Sequence, residues 1–139
     1  VYFGSGDGYV YAVHTTTGRL IWRKRTGAGV QAVVRVGEEL LVASLDNFVY
    51  KFSLAGARLW RRQLTGRISS QPLVTQTEAL FTPLSSPAGV VLDLRDGGLV
   101  NSLPVGEEIT TSASPIAVGE VVLLTTEHGL VAFTPPRER

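Results

Sequence analysis

Apolar residues fall in short runs along the whole chain, with no long hydrophobic stretch and no helical stripe. Residues 1–3, 9–13, 20–22, 40–43, 48–52 and 121–124 are such runs. No window carries a sustained i, i+3, i+4, i+7 apolar pattern, so no helix longer than a turn is expected. The runs are rich in Val, Leu, Ile, Tyr and Thr, which favour pleated backbone. Between them stand Gly6-Asp7-Gly8, Thr17-Gly18, Asp46-Asn47, Asp96-Gly97-Gly98 and Glu127-His128-Gly129, residue types that close turns. In the run at 9–13, one face would carry Tyr9, Tyr11 and Val13, the other Val10 and Ala12. Both faces are apolar, so both should be covered; a half-solvated antiparallel sheet would alternate apolar with polar.

The runs also repeat. Asp7-Gly8-Tyr9-Val10-Tyr11-Ala12-Val13 is echoed by Asp46-Asn47-Phe48-Val49-Tyr50-Lys51-Phe52, by Ala88-Gly89-Val90-Val91-Leu92-Asp93-Leu94 and by Glu127-His128-Gly129-Leu130-Val131-Ala132-Phe133, at intervals of about forty residues. A short apolar run precedes each copy. Behind the first two copies a tryptophan follows a glycine by four, in Gly18-Arg19-Leu20-Ile21-Trp22 and Gly56-Ala57-Arg58-Leu59-Trp60. The third reads Gly97-Gly98-Leu99-Val100-Asn101, and the fourth stops at Pro135-Pro136. Four short strands in about forty residues is the strand density of a β-propeller blade. A solenoid would cover both faces equally well, so the pattern alone leaves that choice open. The expected fold is all-β: blades of four antiparallel strands, about 3.5–4 of them, forming a single partial propeller over residues 1–139, with repeats at approximately 1–29, 30–67, 68–111 and 112–139.

Composition narrows the function. Thirteen basic and twelve acidic residues leave a formal net charge of +1, which excludes a polybasic arm or an acidic tail. Zero cysteines exclude disulfides, zinc fingers, iron–sulfur clusters and a cysteine nucleophile. No run approaches the ~20 apolar residues of a membrane-spanning helix. The chain has no methionine and begins inside an expected strand, so residues are expected to have preceded Val1, along with any targeting signal.

The first repeat, through Thr17-Gly18-Arg19-Leu20-Ile21-Trp22, resembles the PQQ-like, or quinoprotein-type, β-propeller repeat family. The likeness is good in the second repeat and weaker in the last two. The family's docking motif runs alanine, any residue, aspartate, a Thr-Gly turn, then tryptophan. Ala12, Thr17, Gly18 and Trp22 match it, with His14 in the aspartate's place. Gly56 and Trp60 match, with Lys51 and Ser53 replacing the alanine and aspartate; in the third repeat Asp93, Arg95 and Asn101 are read as departing at all three places. The resemblance implies that Ala12, Gly18, Trp22, Gly56 and Trp60 are docking residues packed between neighbouring blades. An indole covers a large apolar area and needs one acceptor, and glycine permits close approach and positive φ. Family rings usually have seven or eight blades, so this chain is expected to be a homo-oligomer or part of a longer chain.

By the same resemblance, a quinoprotein dehydrogenase needs a cofactor-stacking tryptophan, adjacent cysteines, calcium ligands and an aspartate base. There is no cysteine, and both tryptophans stand at docking positions, so no enzyme activity, catalytic residue, cofactor or metal is expected. His14 and His128 would need carboxylates from distant blades to bind zinc. No Gly-x-Ser-x-Gly sequence occurs, and Gly4-Ser5-Gly6-Asp7-Gly8 precedes a strand where a phosphate cradle needs a helix. Arg19, Arg23, Lys24 and Arg25, then Arg58, Arg61 and Arg62, lie on outer strands. They could mark nucleic acid, but charge also blunts an edge strand against pairing, and no nucleic-acid partner is expected. Binding should fall to the loops at 6–8, 45–47, 83–88 and 127–129, with the connections 26–30, 64–70 and 104–111. Asp7, Asp46, Arg67, Ser85, Ser86, Glu107, Glu108 and His128 are the candidates there. The insertion Pro83-Leu84-Ser85-Ser86-Pro87 breaks the repeat, and such loops often carry function.

The expected function is a non-catalytic scaffold that binds a protein or peptide. The BamB-like, non-enzymatic branch of the family implies envelope or outer-membrane protein assembly and a periplasmic or cell-envelope location. Two alternatives stay open: a piece of a PQQ-dependent dehydrogenase lacking its cofactor residues, and a sensor domain of a signalling protein. Adding PQQ and calcium should leave the melting temperature unchanged, because only a ligand that binds the native state raises it. A PQQ- and calcium-dependent rise in a thermal melt would favour the dehydrogenase.

Overall fold

The computed structural model describes residues 1–106, 110–111 and 113–136. All the regular structure among them is β, arranged as four antiparallel sheets. The first holds β1 (Tyr2–Gly4), β2 (Tyr9–Val13) and β3 (Leu20–Arg25); the second holds β4 (Val30–Val36), β5 (Glu39–Ser44), β6 (Phe48–Ser53) and β7 (Arg58–Gln63). The third holds β8 (Leu73–Val74), β9 (Glu78–Phe81), β10 (Ala88–Asp93) and β11 (Leu99–Pro104); the fourth holds β12 (Ile116–Val118), β13 (Val121–Thr126) and β14 (Gly129–Phe133). Each sheet is a meander in which strands pair with their sequence neighbours, as expected of propeller blades. The chain divides into two compact units, Val1–Ser69 and Ser70–Arg139, with two sheets in each.

One register repeats in three sheets. Ala12 stands opposite Trp22, Lys51 opposite Trp60 and Val91 opposite Asn101. The register then slips by one in each, leaving Ile21, Leu59 and Val100 as bulge residues. This corrects the reading of the third repeat. Val91 holds the alanine place and Asp93 the aspartate place, so Asp93 matches the motif. The turn bonds agree: Gly18 N donates to His14 O and Gly97 N to Asp93 O, both at 2.9 Å. The two readings differ by two residues, and a two-residue slip keeps every side chain on its face, so hydrophobic pattern cannot detect it.

In the first unit the face of β1–β3 packs on the face of β4–β7. Val10, Leu40, Val42, Tyr50 and Phe52 are buried at the centre, ringed by Tyr2, Trp22, Val30, Val33, Phe48 and Leu54. The half-buried Trp22 makes the decisive contact. Its Nε1 donates to the Leu54 carbonyl at 2.9 Å, and its ring lies 5.9 Å from that of Tyr2. Beneath the indole is Gly56, at φ +89°, where a Cβ would meet Trp22 Cδ2 at 2.9 Å. Gly18 holds the equivalent turn position in the first sheet at φ +66°, with open space around it. Trp60 is half-buried on β7. Lys51 is buried and pairs with Glu39 across β5 and β6. In the second unit Leu80, Val105 and Leu124 form the core, with Leu73, Val91, Leu103, Val122, Val131 and Phe133 around them.

The two glycines are therefore not equivalent. Gly18→Ala should cost about 1 kcal/mol, the left-handed strain of one residue. Gly56→Ala carries that strain and also displaces the indole, so its cost should be about twice as large or more. Trp22→Ala should cost about 3 kcal/mol, the low end for large aromatics because the ring is only half-buried. Equilibrium urea denaturation of the three variants checks the order; equal losses at Gly18 and Gly56 would mean that the indole does not rest on Gly56.

Candidate functional site

The turns at residues 5–8 and 45–47 are tied to the connector at 26–29. Thr26 N donates to Gly8 O at 2.7 Å, Val30 N to Ser5 O at 2.9 Å and Leu45 N to Gly29 O at 2.9 Å. Gly27 N donates to Asp46 Oδ2 at 2.8 Å. The hydroxyls of the buried Thr26 and Ser44 both point inward, donating to Ala28 O at 2.7 and 3.2 Å.

Both turns are built from one seven-residue pattern, Ser5-Gly6-Asp7-Gly8-Tyr9-Val10-Tyr11 and Ser44-Leu45-Asp46-Asn47-Phe48-Val49-Tyr50. The serine hydroxyl accepts from the aspartate N, at 3.3 and 3.5 Å. Each aspartate Oδ1 accepts from the backbone N two residues on, at 3.0 Å in both turns. Oδ2 accepts the tyrosine hydroxyl four residues on, at 2.5 Å for Asp7–Tyr11 and 2.6 Å for Asp46–Tyr50. The bond from Tyr11 holds the Asp7 carboxyl below its ordinary 3.8, and the bond to Asp7 raises Tyr11 above 10.0. Tyr50 is raised first by burial and then by Asp46. Arginines cover the aromatic beside each turn: the Arg23 guanidinium lies 4.8 Å from the Tyr9 ring centroid and Arg61 5.0 Å from that of Phe48. Part of the basic stripe is thus stacked on its own sheet.

In the second unit Thr111 organises the loop at 82–87. Thr111 Oγ1 donates to Pro83 O at 2.5 Å and Thr111 N to Ser86 O at 3.0 Å. Thr111 also bridges to Thr126 at the end of β13. Ser86 is buried, its hydroxyl donated to Ala88 O at 2.8 Å, while Ser85 is exposed at φ +57°. The fourth sheet keeps the hydroxyl of the turn pattern, Thr126 Oγ1 accepting His128 N at 3.2 Å, but has lost its aspartate and tyrosine. His128 is exposed, its Nε2 4.0 Å from Glu127 Oε1. Arg67 is exposed in the connection after β7. Glu107 and Glu108 lie outside the described residues.

The structure thus joins Asp7 and Asp46 through one connector, and Ser85, Ser86 and the turn of His128 through Thr111. Of the docking residues, Ala12 is buried between Tyr2 and Trp22, Trp22 and Gly56 are in contact, and Gly18 is open. Sequence reasoning passed over Ser5, Thr26, Ser44, Tyr11, Tyr50 and Thr111. The seven-residue pattern was readable for the serines and tyrosines; the two threonines follow no repeat. Among the described residues, no three His, Cys, Asp or Glu side chains group as metal ligands, and no helix is long and apolar enough to cross a membrane.

This architecture has known counterparts. The solved structure of BamB from Moraxella catarrhalis matches 95% of this chain at a TM-score of 0.80 and 20% identity. The computationally designed proteins Ika4 and Ika8 match 96% of it at TM-scores of 0.79 and 0.81, with 15% and 14% identity. The chain spans 42% of that BamB, 83% of Ika4 and 42% of Ika8. A search of the curated proteins gives no match. The fold is that of PQQ-like β-propeller blades. A family model described as outer membrane protein assembly factor BamB matches residues 1–138, and the chain belongs to that family.

The two aspartate–tyrosine ties set opposite pH limits. Asp7, depressed when folded, contributes fully above 3.8, and its contribution is lost as pH falls through the lower folded value. Tyr50, raised when folded, contributes fully below 10.0 and loses its contribution as pH rises through the higher folded value. Thermal melts across pH should show a flatter acid limb in Asp7→Asn and a flatter alkaline limb in Tyr50→Phe. Curves parallel to the parent protein would mean that neither Asp7 nor Tyr50 is shifted in the folded chain.

Proposed function

We propose that this chain is a blade segment of a non-catalytic scaffold that binds protein partners through its turns and connectors, in outer-membrane protein assembly at the cell envelope. The family match over residues 1–138 carries the reading. The loops support it. Their backbone is held by internal hydrogen bonds, so a partner meets a shaped surface at little ordering cost. Asp7 and Asp46 hold their turns. Arg67, Ser85 and His128 are exposed and offer cation, hydroxyl and imidazole groups to a partner. Ser86 supports the loop from below.

The test uses purified outer-membrane β-barrel assembly machinery stripped of its own BamB. A photo-crosslinker at Arg67, Ser85 or His128 should capture a machinery subunit, and one at Arg62, on an outer strand, should not. Equal capture at all four positions, or none, would remove this reading.

A further inference from the structure

We propose that the outer edge of the first unit, formed by β3 and β7, binds the surface of an anionic phospholipid bilayer. The proposal stands apart from the scaffold reading, which concerns turns and connectors.

β3 and β7 are edge strands of their sheets. Propeller blades pack face to face around a channel, so closing a ring covers faces and leaves the outer edges at its perimeter. Arg23, Lys24 and Arg25 lie on β3 and Arg58, Arg61 and Arg62 on β7, all exposed, and neither strand holds an acidic residue. Residues 1–69 hold four acidic side chains, and all are engaged away from these strands. Asp7 accepts from Tyr11, Asp46 accepts from Gly27 N and Tyr50, Glu38 pairs with Arg35 and Glu39 with Lys51. The edge therefore keeps a net positive charge.

Apolar side chains stand among these charges. The bulge residues Ile21 and Leu59 are 60% and 47% exposed, and Leu20 is 49% exposed. Lys24 reaches across the seam between the two sheets, since a Cβ on Gly56 would meet its Cε at 3.1 Å. The two strands thus make one surface. Protection of an edge against pairing does not explain its composition. β11 is an edge strand too and has no charged residue; there the Ser102 N donates to Asn101 Oδ1 at 2.8 Å.

Aliphatic groups exposed beside basic ones suit an anionic bilayer: the phosphates receive the cations and the side chains enter the interface. Single-stranded nucleic acid would instead need bare aromatic rings for base stacking. The rings beside this edge are occupied, with Trp22 on Gly56, Arg23 over Tyr9 and Arg61 over Phe48.

Flotation of the 139-residue chain with unilamellar vesicles tests this. Vesicles of phosphatidylcholine with about 30% phosphatidylglycerol should bind it at least about tenfold more tightly than pure phosphatidylcholine. The difference should vanish in about 0.5 M salt. Arg58→Glu should weaken binding about tenfold or more. Arg35→Glu makes the same charge change away from the edge and should leave binding nearly unchanged. Arg61→Glu stands in if circular dichroism shows Arg58→Glu to be unfolded. Because the chain has no cysteine, Leu59→Cys carries a single polarity-sensitive dye. Its emission should shift to the blue on phosphatidylglycerol vesicles and stay unmoved on a DNA duplex of equal phosphate concentration. The proposal is overturned by equal binding to both vesicles, by equal losses at Arg35 and Arg58, by an unmoved dye on vesicles, or by tighter binding to the duplex. Those outcomes leave the crosslinking test of the scaffold untouched.

Discussion

Everything in the first unit depends on an indole seated on a glycine. Trp22 covers apolar surface, satisfies the Leu54 carbonyl and requires that no side chain grow from position 56. These demands bind three levels of structure together. The glycine is needed because the turn runs at positive φ. The bulge after Ala12 and Lys51 brings the tryptophan opposite the central strand while the turn still closes. A change at any of the three moves the other two.

The loops follow a second economy. Ser5, Asp7 and Tyr11 use side chains to hold a turn and the start of a strand, and Ser44, Asp46 and Tyr50 do it again. The connector between them closes on both. The polar groups that looked available for binding are largely spent on holding shape, and the surface left to a partner is the backbone they arrange and the few side chains that stand clear.

The strand order was legible because the strands are short, the inner ones apolar on both faces, and glycine or aspartate stands in the turns between them. The forty-residue period suits a blade and a solenoid alike, and family likeness made the choice between them. The Trp22 and Gly56 contact was legible only through family likeness. Register in the third repeat was not, since Asp93 and Arg95 lie two apart and share a face. The aspartate–tyrosine ties were hidden for another reason. Aspartate in a turn already has a sufficient local explanation, so nothing in Asp7 or Asp46 alone points four residues ahead to a phenol.

The ion pair of Lys51 and Glu39 governs how this chain can change over time. The first and third sheets place Ala12 and Val91 where the second places Lys51. Alanine and valine can exchange with one another through small steps. Lys51 does so less easily, because its ammonium is buried and paired with Glu39, and losing that carboxylate weakens the support of a charge held out of water. An ancestor on either side of this pair is reached by two substitutions, with a poorer protein between them. Descendants should therefore carry lysine and glutamate together or lack both, and the second blade should diverge more slowly than its neighbours at this one place.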